Sequence, residues 1–277
     1  MEWLEDHKIP IGKGAKSVVD WLTDNAAWFF DGLAFGLEGV IAAILFVLQT
    51  PHPFVVIAAM AGLAFYTRRS IAFAVFSALG LLLVVNQGYW EETTETLALV
   101  LASTLVCMGV GVPIGIAAAR RPWLYAGLRP VLDLMQTIPT FVYLIPALIL
   151  FGLGMVPGLI ATVIFAIPAP IRLTHLGITS TPKPLIEAGQ AFGGSKWQVL
   201  LKVELPYAAP QIMAGLTQTI MLSLSMVVIA ALVGADGLGV PTLRALNTVN
   251  IAKGFEVGVA IVLVAIILDR MFRKPQT

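Results

Sequence analysis

Charge is scarce in this chain. Asp, Glu, Lys and Arg make up 12% of its 277 residues, against roughly 25% in soluble domains, so an ordinary soluble fold is excluded. There is one cysteine, Cys107, so no intrachain disulfide can form. It lies inside an apolar run and reads as a small packing residue. The three histidines, His7, His52 and His175, stand far apart and offer no metal-ligand cluster. No G-x4-G-K-[ST] motif occurs, so the chain has no phosphate cradle of its own. A net charge of +1 gives no nucleic-acid signal. No alternating ten-residue pattern suggests a barrel. Glu2, Glu5 and Asp6 precede any apolar run, which speaks against a cleavable signal peptide.

What the chain does have is apolar sequence: 58% hydrophobic residues and a mean hydropathy of +0.90. Several runs approach the ~20 apolar residues that a membrane helix needs. The fold class expected is all-α, a polytopic helical membrane protein. Residues 1–50 are mixed and rich in aromatics, with Trp21, Trp28, Phe29 and Phe30 among acids and lysines. That suits an amphipathic segment lying in the interface. The uninterrupted run Gly39–Leu48 has only ten residues and follows Glu38, so it is read as interfacial. Seven spans are expected in residues 51–277, over 53–66, 70–85, 94–119, 131–151, 156–173, 208–233 and 255–268. Twelve of the 17 basic residues fall on one side if the loop 181–206 and the C-terminal tail are cytoplasmic, as the positive-inside rule requires. Seven spans then put the N-terminus outside, and eight would put it inside.

The longest polar interruption is 181–206, T-P-K-P-L-I-E-A-G-Q-A-F-G-G-S-K-W-Q-V-L-L-K-V-E-L-P. Its local chemistry predicts two short helices. Thr181 can cap the first, with Pro182 at its first position. Gly193 and Gly194 end it near Phe192. Ser195 and Gln198 form a capping box for the second, and Pro206 is expected to end that helix.

The spacing of this elbow resembles the cytoplasmic motif of ABC-importer permeases, E-A-A-x3-G-x9-I-x-L-P. Glu187, Ala188, Gly193, Leu205 and Pro206 match; Gly189 stands where the motif has Ala, and Val203 where it has Ile. From Trp90 onward the chain is similar to the glycine betaine/proline/choline (quaternary amine) branch, on the stretches 90–101, 129–146, 219–239 and 260–270. Asp236 departs from the glycine frequent in relatives. The resemblance implies a type I ABC-importer permease fold in the bacterial cytoplasmic (inner) membrane. It implies a homodimer working with cytoplasmic ATP-binding subunits and an external substrate-binding protein. The elbow would couple to the ATPase, and ATP and Mg would be held by the partner subunit, with no cofactor on this chain.

Two polar sets inside spans are candidates for the translocation path: Gln136, Thr137, Thr140 and Tyr143, then Gln218, Ser223 and Ser225. Gln136, Thr140 and Tyr143 fall at helical spacing, which puts them on one face of an unbroken helix. Both sets are open to a second reading as helix–helix packing. Asp133 is read as an acid at a helix N-terminus. Ser223 and Ser225 have no His or Asp nearby in sequence, which leaves an intramembrane hydrolase weakly supported. A stand-alone secondary transporter or channel would need intramembrane ion-coupling acids, which the central spans lack.

Overall fold

The computed structural model describes residues 11–273; Glu2, Glu5, Asp6, His7, Lys8 and Lys274 lie outside them. Helices carry the described chain, with no strand among these residues.

The first helix, α1 (Ile11–Gln49), is far longer than the ten-residue apolar run it contains. Gly39–Leu48 is the end of a 39-residue helix, kinked at Ala26, where φ is −124° and ψ 16°. Its aromatic half leaves Trp21, Trp28 and Phe29 exposed, while Leu37 and Ile41 are buried in the main core. Phe30 meets Phe151 edge to face at 5.6 Å between centroids. By length and composition, Gly12–Gln49 qualifies as a candidate span. The helices α2 (Pro53–Arg68) and α3 (Ile71–Asn86) have 16 residues each, about 24 Å at 1.5 Å per residue, short of a hydrocarbon core of ~30 Å. They form a hairpin whose turn holds Arg69 at φ +49°. Ser70 caps α3 by accepting the Phe73 N–H.

The helix α4 (Trp90–Arg120) opens on Glu91 and Glu92 and closes on Arg120, each charge at the helix end that favours it. The expected span 131–151 is broken. Instead α5 (Pro122–Thr137) and α6 (Thr140–Phe151) meet at 96°. Pro139 supplies no N–H, and the residue before it, Ile138, is extended at ψ 131°, the conformation a following proline enforces. Next come α7 (Met155–Ala166) and α8 (Pro168–Thr179), which together make a 25-residue candidate span. Beyond the elbow lie α11 (Leu205–Ala230), α12 (Gly239–Asn247) and α13 (Ile251–Phe272).

Among the described residues, five helical segments are long and apolar enough to cross a membrane, six if the bent pair is one span. The core sits where α4, α7, α8 and α11 meet. Gly115 of α4 is so close to α8 that a Cβ there would lie 2.7 Å from Thr174 Cβ and 2.8 Å from the Ile171 carbonyl O. Gly177 of α8 holds α11 equally close, 2.9 Å from Ala208 Cβ. Small residues that let helix backbones approach are the usual glue inside a bilayer.

Candidate functional site

The elbow folds from its own local chemistry. Its first helix, α9, covers Lys183–Ala191, with Pro182 in the capping position at φ −58° and ψ 131°. Thr181 therefore does not cap it; its side chain is buried with Oγ1 unpartnered. Two prolines, Pro182 and Pro184, start this helix in place of a hydroxyl, because neither needs an N–H partner there. Gly193 ends the turn at φ +79°. Its N–H donates to the Gln190 carbonyl, and Gly194 N–H donates to that of Gly189, so the helix end closes as a left-handed cap.

The second helix, α10 (Lys196–Val199), starts with the expected capping box. Gln198 N–H donates to Ser195 Oγ at 3.3 Å, and Ser195 N–H to Gln198 Oε1 at 2.8 Å. Pro206 does not end this helix. A π-turn, Leu200–Glu204, carries α10 straight into α11, where Pro206 lies in the first turn. The Leu205 N–H bonds the Leu200 carbonyl, five residues back. That shifted register comes just before the position where proline has no N–H to give.

Glu187, Ala188, Gly193 and Pro206 are exposed, and Leu205 is half-buried. Phe192 is 93% exposed and Trp197 69%. Between the elbow helices lies a notch of about 360 Å³ lined by Gly189, Phe192, Val199 and Val203 among others. The two departures from the motif face each other there. A Cβ on Gly189 would stand 3.3 Å from Val203 Cγ2.

The polar residues of the spans divide. The bend at Pro139 takes Gln136 off the face of Thr140 and Tyr143, because helical spacing does not carry through a 96° break. Gln136 accepts from Arg172 Nη1 at 3.2 Å and donates to the Phe165 carbonyl at 3.4 Å. Arg172 Nη2 also donates to Asp133 Oδ1 at 2.6 Å. Asp133 is thus no helix-start acid; it lies in the later part of α5 and ties that helix to α8. Thr137 donates to its own helix, at the Leu134 carbonyl. Thr140 is half-buried, and the Tyr143 hydroxyl is buried with no partner. Ser223 accepts from Ser103 Oγ of α4 at 3.0 Å and is fully buried. Gln218 and Ser225, by contrast, stand exposed on α11, with Met221 between them. Gln211 is exposed one turn-pair earlier on the same side.

Sequence reasoning missed the ion pair that joins α4 to the elbow, Arg120 Nη2 to Glu204 Oε2 at 2.9 Å. Its partners are 84 residues apart, beyond the reach of any local pattern. On the opposite side of the bundle, the loop around Gly237 packs on the start of α4. Leu238 N–H donates to Thr96 Oγ1 at 2.8 Å. Exposed Asp236 shares a small cavity there with Glu91, Glu92, Glu95 and Arg244.

A bundle of apolar helices with a structured polar elbow between two of its candidate spans defines a polytopic helical membrane protein. Residues 111–273 match the family described as "Binding-protein-dependent transport system inner membrane component", and the chain belongs to that family. Among its relatives, the glycine betaine transport system permease protein OpuAB of Bacillus subtilis is 46% identical over 265 residues, 95% of this chain and 93% of the relative. The glycine betaine/carnitine transport permease protein GbuB of Listeria monocytogenes is 43% identical, over 95% and 94%. The glycine betaine/proline betaine transport system permease protein ProW of Escherichia coli is 41% identical, over 98% and 71%. An inward-facing structure of the MetNI methionine ABC transporter is similar at 25% identity with a TM-score of 0.59, covering 67% of this chain and 94% of that one. The chain is therefore an inner-membrane transport subunit with the type I importer fold, and its relatives are permeases, not enzymes. Membership in this family entails partner subunits that hydrolyse ATP and a binding protein that delivers solute.

Proposed function

We propose that this permease imports glycine betaine or a related quaternary ammonium compound, in an assembly with ATP-binding subunits on the elbow side and a substrate-binding protein on the other. The observation that carries the substrate class is 46% and 43% identity, over 95% of the chain, with permeases named for glycine betaine and for glycine betaine/carnitine. ATP and Mg sit on the partner subunits. Glu187, Ala188, Gly193, Leu205 and Pro206 form the coupling surface, so closure of the ATPase pair moves the elbow and reorients the spans in alternating access.

A second copy of the chain completes the pore. The support is the polar stripe Gln211, Gln218 and Ser225, exposed on α11 inside a candidate span. An unpartnered amide in hydrocarbon costs several kcal/mol, so this face meets another protein surface or a wet path. Of the path candidates, Thr140, Tyr143, Gln218 and Ser225 keep that role. Gln136 and Ser223 are already engaged with neighbouring helices. Lipid surrounds the apolar remainder.

The test is uptake into proteoliposomes that hold the permease and its ATPase, supplied with the binding protein and labelled glycine betaine. ATP-dependent accumulation, competed by carnitine or proline betaine and not by methionine, is the expected result. Accumulation indifferent to betaines would overturn the substrate class.

A further inference from the structure

Arg120 is the last residue of α4, and among the described residues its side-chain polar contacts go to the elbow. Its Nη2 donates to Glu204 Oε2 at 2.9 Å and to the Lys196 carbonyl at 3.0 Å. Its guanidinium carbon lies 6.0 Å from the centre of the Trp197 ring. These partners bracket one segment, from the first residue of α10 to the last of the π-turn. The Glu204 side chain is 13% exposed and that of Arg120 32%, so the pair is partly sheltered from water and poorly screened.

The π-turn is the place where the elbow becomes α11. Such a turn departs from the regular ladder and is a point where a helix can give. A displacement of α9 and α10 would dissipate there if nothing spanned it. Arg120 spans it, and α4 behind Arg120 is packed against α8 through Gly111 and Gly115, where a Cβ would stand 2.8 Å and 2.7 Å from Pro170 and Thr174 atoms. The elbow is thereby bolted to the three helices that carry it: α8, which enters it, α11, which leaves it, and α4, which packs on both.

We propose that Arg120 is a positioning residue that fixes the exit of the elbow to α4, so that movement imposed on the elbow reaches α4, α8 and α11 together. This rests on the reading of the elbow as the ATPase-coupling surface. Arginine suits the task because the two N–H groups of one nitrogen, Nη2, reach a carboxylate and a carbonyl at once, held in the plane of a rigid, always charged guanidinium. A lysine ammonium is a single point of charge on a flexible stem.

The experiment uses the whole complex in proteoliposomes and compares wild type, Arg120→Ala, Arg120→Lys, Arg120→Glu and the swap Arg120→Glu/Glu204→Arg. Three quantities are read: ATPase subunits recovered with the permease, ATP hydrolysis with and without loaded binding protein, and uptake. For Arg120→Ala the expected result is normal recovery and normal unstimulated hydrolysis, with stimulated hydrolysis and uptake lowered about tenfold, within the range of couplings between distant sites. Arg120→Lys falls between, and the swap recovers part of what Arg120→Glu loses. Wild-type uptake by Arg120→Ala would overturn the inference, as would a loss of uptake that follows a loss of assembled complex and is not relieved by the swap. If the wild-type chain itself recovers no ATPase subunit, the reading of the elbow fails first, and the inference falls with it.

Discussion

Gly193 carries the sharpest demand that the elbow makes on a single residue. At φ +79°, an L-residue is strained by about 1–2 kcal/mol, and a β-branched one suffers most. Nothing lies within 4 Å of the position a Cβ would take, so the penalty is one of backbone angle and not of crowding. Gly193→Val is expected to reach the membrane in normal amount and to lose uptake, checked by immunoblot of membranes beside labelled-betaine transport. Unchanged uptake would show that the turn tolerates another shape. Arg172 asks for a different test. Its partner Asp133 is 55% exposed and Arg172 itself 34%, so the ion pair is worth about 0.2–1 kcal/mol. A double-mutant cycle with Asp133→Ala and Arg172→Ala, read as thermal stability in detergent, is expected to return a coupling in that range. A coupling of zero would mean that the 2.6 Å contact contributes nothing.

Among the elements, the bent pair α5–α6 and the long α11 differ in what their polar residues do. Gln136 is locked into the cluster with Arg172 and the Phe165 carbonyl, so Gln136→Leu should leave a half-buried donor and acceptor without this partner. It is expected to lower the yield of folded permease. Ser225 stands exposed and bonds only the Met221 carbonyl of its own helix. Ser225→Leu is expected to leave the yield unchanged and to lower maximal uptake without altering ligand affinity of the binding protein. The reverse pattern for the two variants would contradict the division of α11 and α5 drawn above.

Elements also mark what the sequence could and could not convey. The capping box at Ser195 and the left-handed turn at Gly193 were legible, because both are written within four residues of chain. The first elbow helix starts one position later than a Thr181 cap implies, since a proline pair starts it without a hydroxyl cap. Pro206 is ambiguous in sequence because proline is as welcome in a first turn as it is unwelcome later, and the π-turn before it decides which applies. Pro139 gave no sign of whether it kinks a span or breaks it. The partners of Gln136 and Arg120 lie 36 and 84 residues away, beyond any periodic pattern.

The whole molecule turns on the count of spans. With α1 crossing the membrane and the bent pair α5–α6 taken as one span, the long segments among the described residues number six, or eight if the α2–α3 hairpin also crosses, and both counts place the two ends of the bundle on one side. The ten-residue run that favoured seven spans is part of a far longer helix. A cysteine in place of Lys13, in a Cys107→Ala background, is expected to react with an impermeant thiol reagent only after cells are permeabilised. Cys107 is buried beneath α7, with Sγ 3.8 Å from the Val163 carbonyl, so its removal changes packing by little more than a sulfur atom. Labelling in intact cells would restore the seven-span arrangement with α1 along the surface.

In the proposed assembly this chain moves solute only when ATP hydrolysis by a partner drives it through the elbow. The most direct measurement is labelled glycine betaine uptake into proteoliposomes holding the permease with its ATPase, loaded with ATP inside the elbow-facing compartment and supplied with binding protein on the other side. The expected result is accumulation against a gradient that vanishes when the ATP, the ATPase or the binding protein is omitted. Accumulation by the permease alone, driven by a sodium or proton gradient, would contradict it.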